Sequence, residues 1–266
     1  MGMAGQCLRF VRPTKSKADN PLFIFLPGMD GTGQLLNTQL PQLAADFDIR
    51  CLSIPPDDLT GWDSLVEQVA GLIEAELQPS TLRPIYVCGE SFGGCLALKL
   101  AAWFPQWCDR LILVNPASSF SRQSWMQWGA SLTQWLPDSL YRLSTLGLMP
   151  FLIDPERVSR PNRQALLAAM QSVTSESAAW RLSLLSQFRL ESLPLDRIEQ
   201  PTLVVAARND RLLPSAGEAA RLARYLPKAQ TLLLPESGHA CLLETEVSLT
   251  QILRSQRFYD QVRSQA

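Results

Sequence analysis

Histidine is almost missing from this sequence: His239 is the single one among 266 residues. Any step that needs an imidazole must use that position. A metal site built from clustered His and Cys is excluded, and neither a metal nor a cofactor is expected. The six cysteines, Cys7, Cys51, Cys88, Cys95, Cys108 and Cys241, form no Cys-x-x-Cys pair. Such a spread argues for a reduced, cytoplasmic setting rather than a disulfide scaffold, with Cys88 and Cys95 as small apolar fillers. An excess of one charge is missing too. Lys and Arg number 24 against 25 Asp and Glu, giving a net charge of −1. Without a basic stripe, nucleic acid is not an expected partner. No apolar run reaches the length of a membrane-crossing helix. The N-terminus lacks the basic start and apolar stretch of a secretory signal. A stable membrane span is therefore not expected, although peripheral membrane contact stays compatible with the composition. Internal repeats and low-complexity segments are also lacking.

What is present is an ordinary globular composition, 46% hydrophobic and 18% charged, on a chain long enough to bury a large core. Apolar runs of strand length lie at 21–26, 49–54, 85–88, 111–114, 202–206 and 231–234, and a short first strand is expected within 7–12. The runs are continuous rather than alternating, as in parallel strands buried on both faces. Helical patterns fall between them at 35–47, 62–77, 95–103 and 216–225, and a last helix is expected from 244 onward. In the second of these, Leu65, Val69, Leu72 and Ile73 recur at helical spacing, with Asp63 or Ser64 placed to cap. Alternating strands and helices imply βαβ units in a mostly parallel sheet with flanking helices. From 117 to 195 the alternation stops. Trp125, Trp128, Trp135 and Trp180 fall here, with Pro137, Pro150, Pro155 and Pro161 as breakers. The expected organisation is a core of residues 1–116 and 196–266 with a helical lid, 117–195, inserted after the sixth strand.

Within this pattern one stretch carries chemistry: Gly89-Glu90-Ser91-Phe92-Gly93-Gly94, after the run Ile85-Tyr86-Val87-Cys88 and before a helical run. Gly-x-Ser-x-Gly arises by chance in loops, but strand before and helix after is the context of a nucleophile elbow, which exposes the serine hydroxyl above a helix N-terminus. A serine nucleophile needs a base and the base needs an orienting acid. His239 follows the last strand in Pro235-Glu236-Ser237-Gly238-His239. A packing histidine is the plain alternative. Asp210 lies between Ser91 and His239 in order, in the loop after the strand at 202–206; a turn or capping aspartate is its plain alternative. Glu236 is a weaker rival, being too near His239 in sequence. The N–H of Phe92 and that of Met29, in the loop Pro27-Gly28-Met29-Asp30-Gly31, are the expected oxyanion donors. A phosphate-cradling role for that loop is disfavoured, since no Walker lysine follows. Gly28 and Asp30, and Trp125 and Trp128 of the insertion, are candidates for substrate contact. The tryptophans equally suit packing among the inserted helices.

These features resemble the α/β-hydrolase fold. More narrowly, the chain is similar to the hydrolase half of the phytyl ester synthase and diacylglycerol-acyltransferase-like proteins of plastids and cyanobacteria. The residues carrying this are Phe25-Leu26-Pro27-Gly28-Met29-Asp30-Gly31-Thr32-Gly33, Gly89 to Leu98, and Asn115-Pro116-Ala117-Ser118-Ser119-Phe120. The resemblance implies acyl transfer to phytol, or hydrolysis of lipid-like acyl esters or thioesters. Those proteins carry a further acyltransferase-type domain; here no His-x-x-x-x-Asp motif occurs, Glu244 standing five positions after His239. A serine esterase, lipase or thioesterase acting on a small lipid-like ester or thioester is the expectation. A lyase of the menaquinone-pathway type is the alternative, if several of Arg122, Arg142, Arg157, Arg160, Arg163, Arg181 and Arg189 point inward. A non-catalytic ligand receptor on the same fold is a third.

Overall fold

Five-residue strand Leu22–Leu26 is buried along its whole length, and it sits in the interior of the sheet. Its alternate residues feed two cores. Leu22, Ile24 and Leu26 join one cluster; Phe23 and Phe25 join the other. This is why the run is continuously apolar: each face has its own layer of helices to meet. The computed structural model describes residues 7–77, 83–123 and 138–259. The strands in chain order are β1 (Arg9–Val11), β2 (Leu22–Leu26), β3 (Asp48–Ser53), β4 (Ile85–Glu90), β5 (Arg110–Val114), β6 (Thr202–Ala207) and β7 (Ala229–Leu234). Their order in the sheet is β1-β3-β2-β4-β5-β6-β7, with β1 antiparallel to β3 and every other pair parallel.

Among the described residues the helices are α1 (Leu40–Asp46), α2 (Trp62–Glu76), α3 (Phe92–Trp103), α4 (Asp138–Leu152), α5 (Arg160–Ser172), α6 (Ser175–Gln187), α7 (Ser215–Tyr225) and α8 (Leu249–Ser255). Three of these, α4 to α6, lie in the described part of the segment between β5 and β6. That segment follows the fifth described strand, not a sixth, because the antiparallel edge consists of the single short β1. The pattern at 35–47 resolves into a 3-10 turn, Gln34–Thr38, and then α1. Pro41 in the first turn of α1 suits a helix start, not a helix interior. Helix α2 begins after Gly61 without a side-chain cap, so neither Asp63 nor Ser64 caps it. Pro161 likewise opens α5, whereas Pro150 lies inside the last turn of α4 instead of ending it. The final helix starts at Leu249 rather than 244, because Glu244 is buried and turned toward the loop before it.

All the parallel strands point one way, so the loops after Leu26, Glu90, Val114, Ala207 and Leu234 gather at one edge. The chain reverses its direction of travel across the sheet between β2 and β4. This is the switch point at which open α/β sheets form a crevice.

Candidate active site

The elbow is shaped by close approach. A Cβ on Gly93 would lie 2.0 Å from the Leu26 carbonyl oxygen, and one on Gly89 2.2 Å from the Gly93 oxygen. Only glycine allows α3 to leave the strand at that angle. Between them Ser91 has φ 53° and ψ −113°, an uncommon conformation for a residue with a side chain. Hydrogen bonds hold it there: its N–H donates to Val114 O at 3.0 Å, and its carbonyl accepts from Gly94 N at 2.9 Å and Ala117 N at 3.0 Å. The Ser91 hydroxyl is then 3.0 Å from Nε2 of His239.

His239 is buried, and its Nδ1 lies 2.7 Å from Oδ2 of Asp210. Asp210 is itself firmly placed. Its Oδ1 accepts from the N–H groups of Leu212 and Leu213, each at 2.8 Å, and its Oδ2 accepts from the Ser215 hydroxyl. Burial alone would push this carboxyl up. The His239 charge and the hydrogen bonds from His239, Ser215 and Leu213 outweigh it and hold the group below the usual range. For His239, burial favours the neutral ring, but Asp210, by charge and hydrogen bond, and more weakly Glu90 raise its pKa above 6.5. Glu236, the sequence-level rival, is exposed.

The two expected oxyanion donors lie on opposite sides of the crevice. The Phe92 side chain is fully buried, and a Cβ on Gly28 would sit 3.8 Å from Cβ of Ser91. Among the described residues, neither Met29 N–H nor Phe92 N–H donates a hydrogen bond. A helix start leaves its first N–H groups free, which accounts for Phe92. Asp30 is turned back on its own loop. Its Oδ2 accepts from Thr32 N at 2.9 Å and Thr32 Oγ1 at 2.5 Å, which shapes the turn, while its Oδ1 lies 3.5 Å from where a Gly28 Cβ would sit, on the side of Ser91. Trp125 and Trp128 lie outside the described residues. Asp30 and Thr32 also line a cavity of about 260 Å³, with Gln34, Asn37, Cys51 and Ser53. Ser91 is not part of its wall.

Five residues to which the sequence assigned no part in the Ser91 site organise it. Asn115 has φ 41°, is completely buried, and donates from Nδ2 to the His239 carbonyl at 2.7 Å. The signal for it was an asparagine ending a strand, since asparagine tolerates positive φ. Glu244 accepts from Gly238 N at 2.8 Å and Ser237 Oγ at 2.9 Å, bracing the His239 loop from the other side. Arg157 Nε donates to the same carboxylate at 2.9 Å. Glu90, beside the serine, is buried, and burial pushes its carboxyl up to about 7. Arg181 of α6 reaches the Met29 loop. A lone arginine within Ala178-Ala179-Trp180-Arg181-Leu182 was its signal.

Comparison with known proteins agrees with this architecture. A family model described as alpha/beta hydrolase fold matches residues 21–245. Phytyl ester synthase 1, chloroplastic, of Arabidopsis thaliana is 31% identical over 259 residues, covering 89% of this chain and 37% of that protein. The chain thus spans under two fifths of the length of the phytyl ester synthases it matches. The pimeloyl-[acyl-carrier protein] methyl ester esterase of Nitrosomonas europaea is 32% identical over 168 residues, 59% of this chain and 65% of that protein. Among solved structures, a thermophilic esterase from Thermogutta terrifontis superposes with TM-score 0.76 at 17% identity, covering 94% of this chain and 93% of that one, a likeness of fold alone. A strand–elbow–helix on a parallel sheet, matched over most of its length by that family model, makes this chain a member of the alpha/beta hydrolase fold family.

Proposed function

We propose that this chain is a serine esterase or thioesterase that cleaves an apolar acyl ester through an acyl-enzyme on Ser91. The observation that carries this is the unbroken chain Ser91 Oγ, His239 Nε2, His239 Nδ1, Asp210 Oδ2, with separations of 3.0 and 2.7 Å. His239 Nε2 takes the hydroxyl proton as Ser91 Oγ bonds to the acyl carbonyl carbon. Asp210 holds the tautomer and stabilises the resulting imidazolium. The N–H groups of Met29 and Phe92 receive the oxyanion, each contributing on the order of 3 kcal/mol. His239 then returns its proton to the departing alcohol or thiol as the C–O or C–S bond breaks. Water, losing a proton to His239, attacks the acyl-enzyme, and Ser91 recovers its hydroxyl.

Two observations support an apolar substrate. Helix α4 exposes Leu140, Leu143, Leu146, Leu148 and Phe151. Its end rests on the His239 loop, with Leu152 O accepting from Ala240 N at 2.9 Å. A lipid-like substrate, and peripheral contact with a lipid surface, fit that placement. We further take residues 117–195 as a cap over the crevice and the setting as cytoplasmic or its equivalent. The named activities of the relatives also point to acyl esters. A lyase for anionic substrates gains little: Arg181, the buried member of the seven arginines, is engaged by backbone carbonyls, and Arg122, Arg142, Arg160 and Arg189 are exposed.

Labelling with a fluorophosphonate probe tests the proposal. Wild type should react and Ser91→Ala should not; equal labelling of both overturns it. Rates on p-nitrophenyl esters of graded length should peak at long chains. Acyl transfer to a phytol-like alcohol is the second reading, favoured by the similarity to phytyl ester synthases; product formation from acyl-CoA only when phytol is added would establish it in place of hydrolysis.

A further inference from the structure

Both expected oxyanion donors are tied to the same inserted helix, α6. On one side, Arg181 is 2% exposed, and its Nη1 donates to Met29 O at 2.6 Å while Nη2 donates to Pro55 O at 2.9 Å. Gly31, at φ 68°, leaves the room: a Cβ there would come within 2.8 Å of Arg181 Nη1. On the other side, the ring of Phe92 stacks on Trp62, with centroids 4.6 Å apart and planes at 22°. Trp62 Nε1 in turn donates to Leu184 O at 2.9 Å.

Helix α6 is also bound along its length to the stretch after β3. Thr174 N donates to Pro56 O at 3.0 Å, Ser177 Oγ to Asp58 O at 2.7 Å, and Trp180 Nε1 to Thr60 O at 3.1 Å. Its inner residues Leu184 and Leu185 belong to the larger core cluster. It is thus anchored to the core, unlike α4 with its exposed leucines. A buried guanidinium is costly unless its donors are paired. Here they are paired with the carbonyl of Met29 itself and with a neighbouring loop, and Asp30 faces the charge.

We infer that α6 is the buttress of the oxyanion hole, with Arg181 as the positioning residue that fixes the Met29 donor opposite the Phe92 donor. This rests on the proposed serine mechanism at Ser91. Arg181 touches no reacting atom. It acts by holding the Met29–Asp30 peptide unit in place; the donor N–H lies in the adjoining Gly28–Met29 unit, hinged to it at the Met29 Cα, and a displacement of a few tenths of an ångström there weakens a bond made chiefly in the transition state.

The test compares wild type with Arg181→Lys, Arg181→Ala and Trp62→Phe, on a p-nitrophenyl ester and with an alkyl trifluoromethyl ketone, whose adduct with the serine carries the oxyanion. In Arg181→Ala we expect kcat to fall on the order of tenfold to a hundredfold, KM to change far less, and the ketone inhibition constant to rise in parallel with the loss in kcat/KM. The acid limb of the pH profile should stay in place, because His239 and Asp210 are untouched. Added ethylguanidinium should restore part of the kcat of Arg181→Ala. Should that variant fail to fold, Arg181→Lys, which can keep one carbonyl bond, and Trp62→Phe, which keeps the stacking, carry the same comparison with smaller losses. Folded variants with wild-type kcat and ketone affinity overturn the inference, as does a fall in rate without weaker ketone binding. Wild type that fails to react with a fluorophosphonate would instead sink the serine mechanism itself.

Discussion

The side-chain amide of Asn115 joins three strand ends: it donates to the His239 carbonyl at 2.7 Å and accepts from Ala207 N–H at 2.7 Å. One residue at the end of β5 therefore sets the height of the His239 loop relative to the end of β6, which leads into the Asp210 loop. Its φ of 41° is sustained by these bonds and by its own N–H, which donates to Val205 O at 2.9 Å.

Asn115→Ala should leave a buried carbonyl and a buried N–H unpaired while keeping a left-handed conformation that alanine disfavours. A loss of about 3 kcal/mol in stability is expected. Asn115→Asp tolerates the backbone and can still accept from Ala207 N–H, but it cannot donate to His239 O. Both variants should lower kcat, and the denaturation midpoint should fall in both, more in Asn115→Ala. Wild-type kcat in a folded Asn115→Asp would show that the His239 loop holds its position without this bond.

A pH shift is expected from Glu90→Gln. Glu90 is buried at the end of β4, and burial pushes its carboxyl up from 4.5 to about 7. Its charge adds to that of Asp210 in raising the His239 pKa. Catalysis needs neutral His239, so activity should climb as pH rises through that pKa. Removing the Glu90 charge should move this acid limb of kcat/KM to lower pH. Stability should respond as well. The folded protein holds the Glu90 proton more tightly than the unfolded chain, so the wild type should lose this contribution as pH rises from 4.5 towards about 7. Glu90→Gln should therefore gain relative to wild type at pH about 8 and not at pH about 4, read as denaturant midpoints. An unmoved acid limb would show that Glu90 does not act on His239.

Stability at the far end of the sheet should depend on Asp48. This carboxylate is buried at the start of β3; Oδ1 accepts from Arg50 Nη1 at 2.8 Å and Oδ2 from Arg83 Nη1 at 2.7 Å. Burial would raise its pKa, but the hydrogen bonds from Arg50 and Arg83 outweigh it and bring the group to about 2. A depressed folded pKa means the stabilisation is present above 3.8 and is lost as pH falls from there towards 2. Asp48→Asn should cost about 3 kcal/mol at neutral pH by leaving buried Arg50 short of a partner. Urea midpoints at neutral and acid pH check both points: the gap between wild type and variant should narrow as pH falls from about 4 and close towards pH about 2.

The local parts of this protein were legible in its residues. Continuous apolar runs marked the parallel strands, because burial on both faces leaves no polar alternation. The order Ser91, Asp210, His239 could be read because each follows a strand-like run, and parallel strands deliver their loops to one edge. Helix boundaries were harder. Gly61 starts α2 where Asp63 or Ser64 had the better capping chemistry, and Glu244 is turned inward by Gly238 and Ser237, which delays the last helix to Leu249.

Local periodicity, glycine sterics and the scarcity of histidine make the sheet, the elbow and the candidate nucleophile and base readable along the chain. The structure brings Asp210 to His239, the partner that loop order already favoured over Glu236; packing, and not the chain's local pattern, makes Asn115 hold the His239 carbonyl and Arg181 hold the carbonyl of Met29. The last two contacts join residues 124 and 152 positions apart. Contacts of that span arise from the crossing of packed layers, and no spacing rule along the chain encodes them.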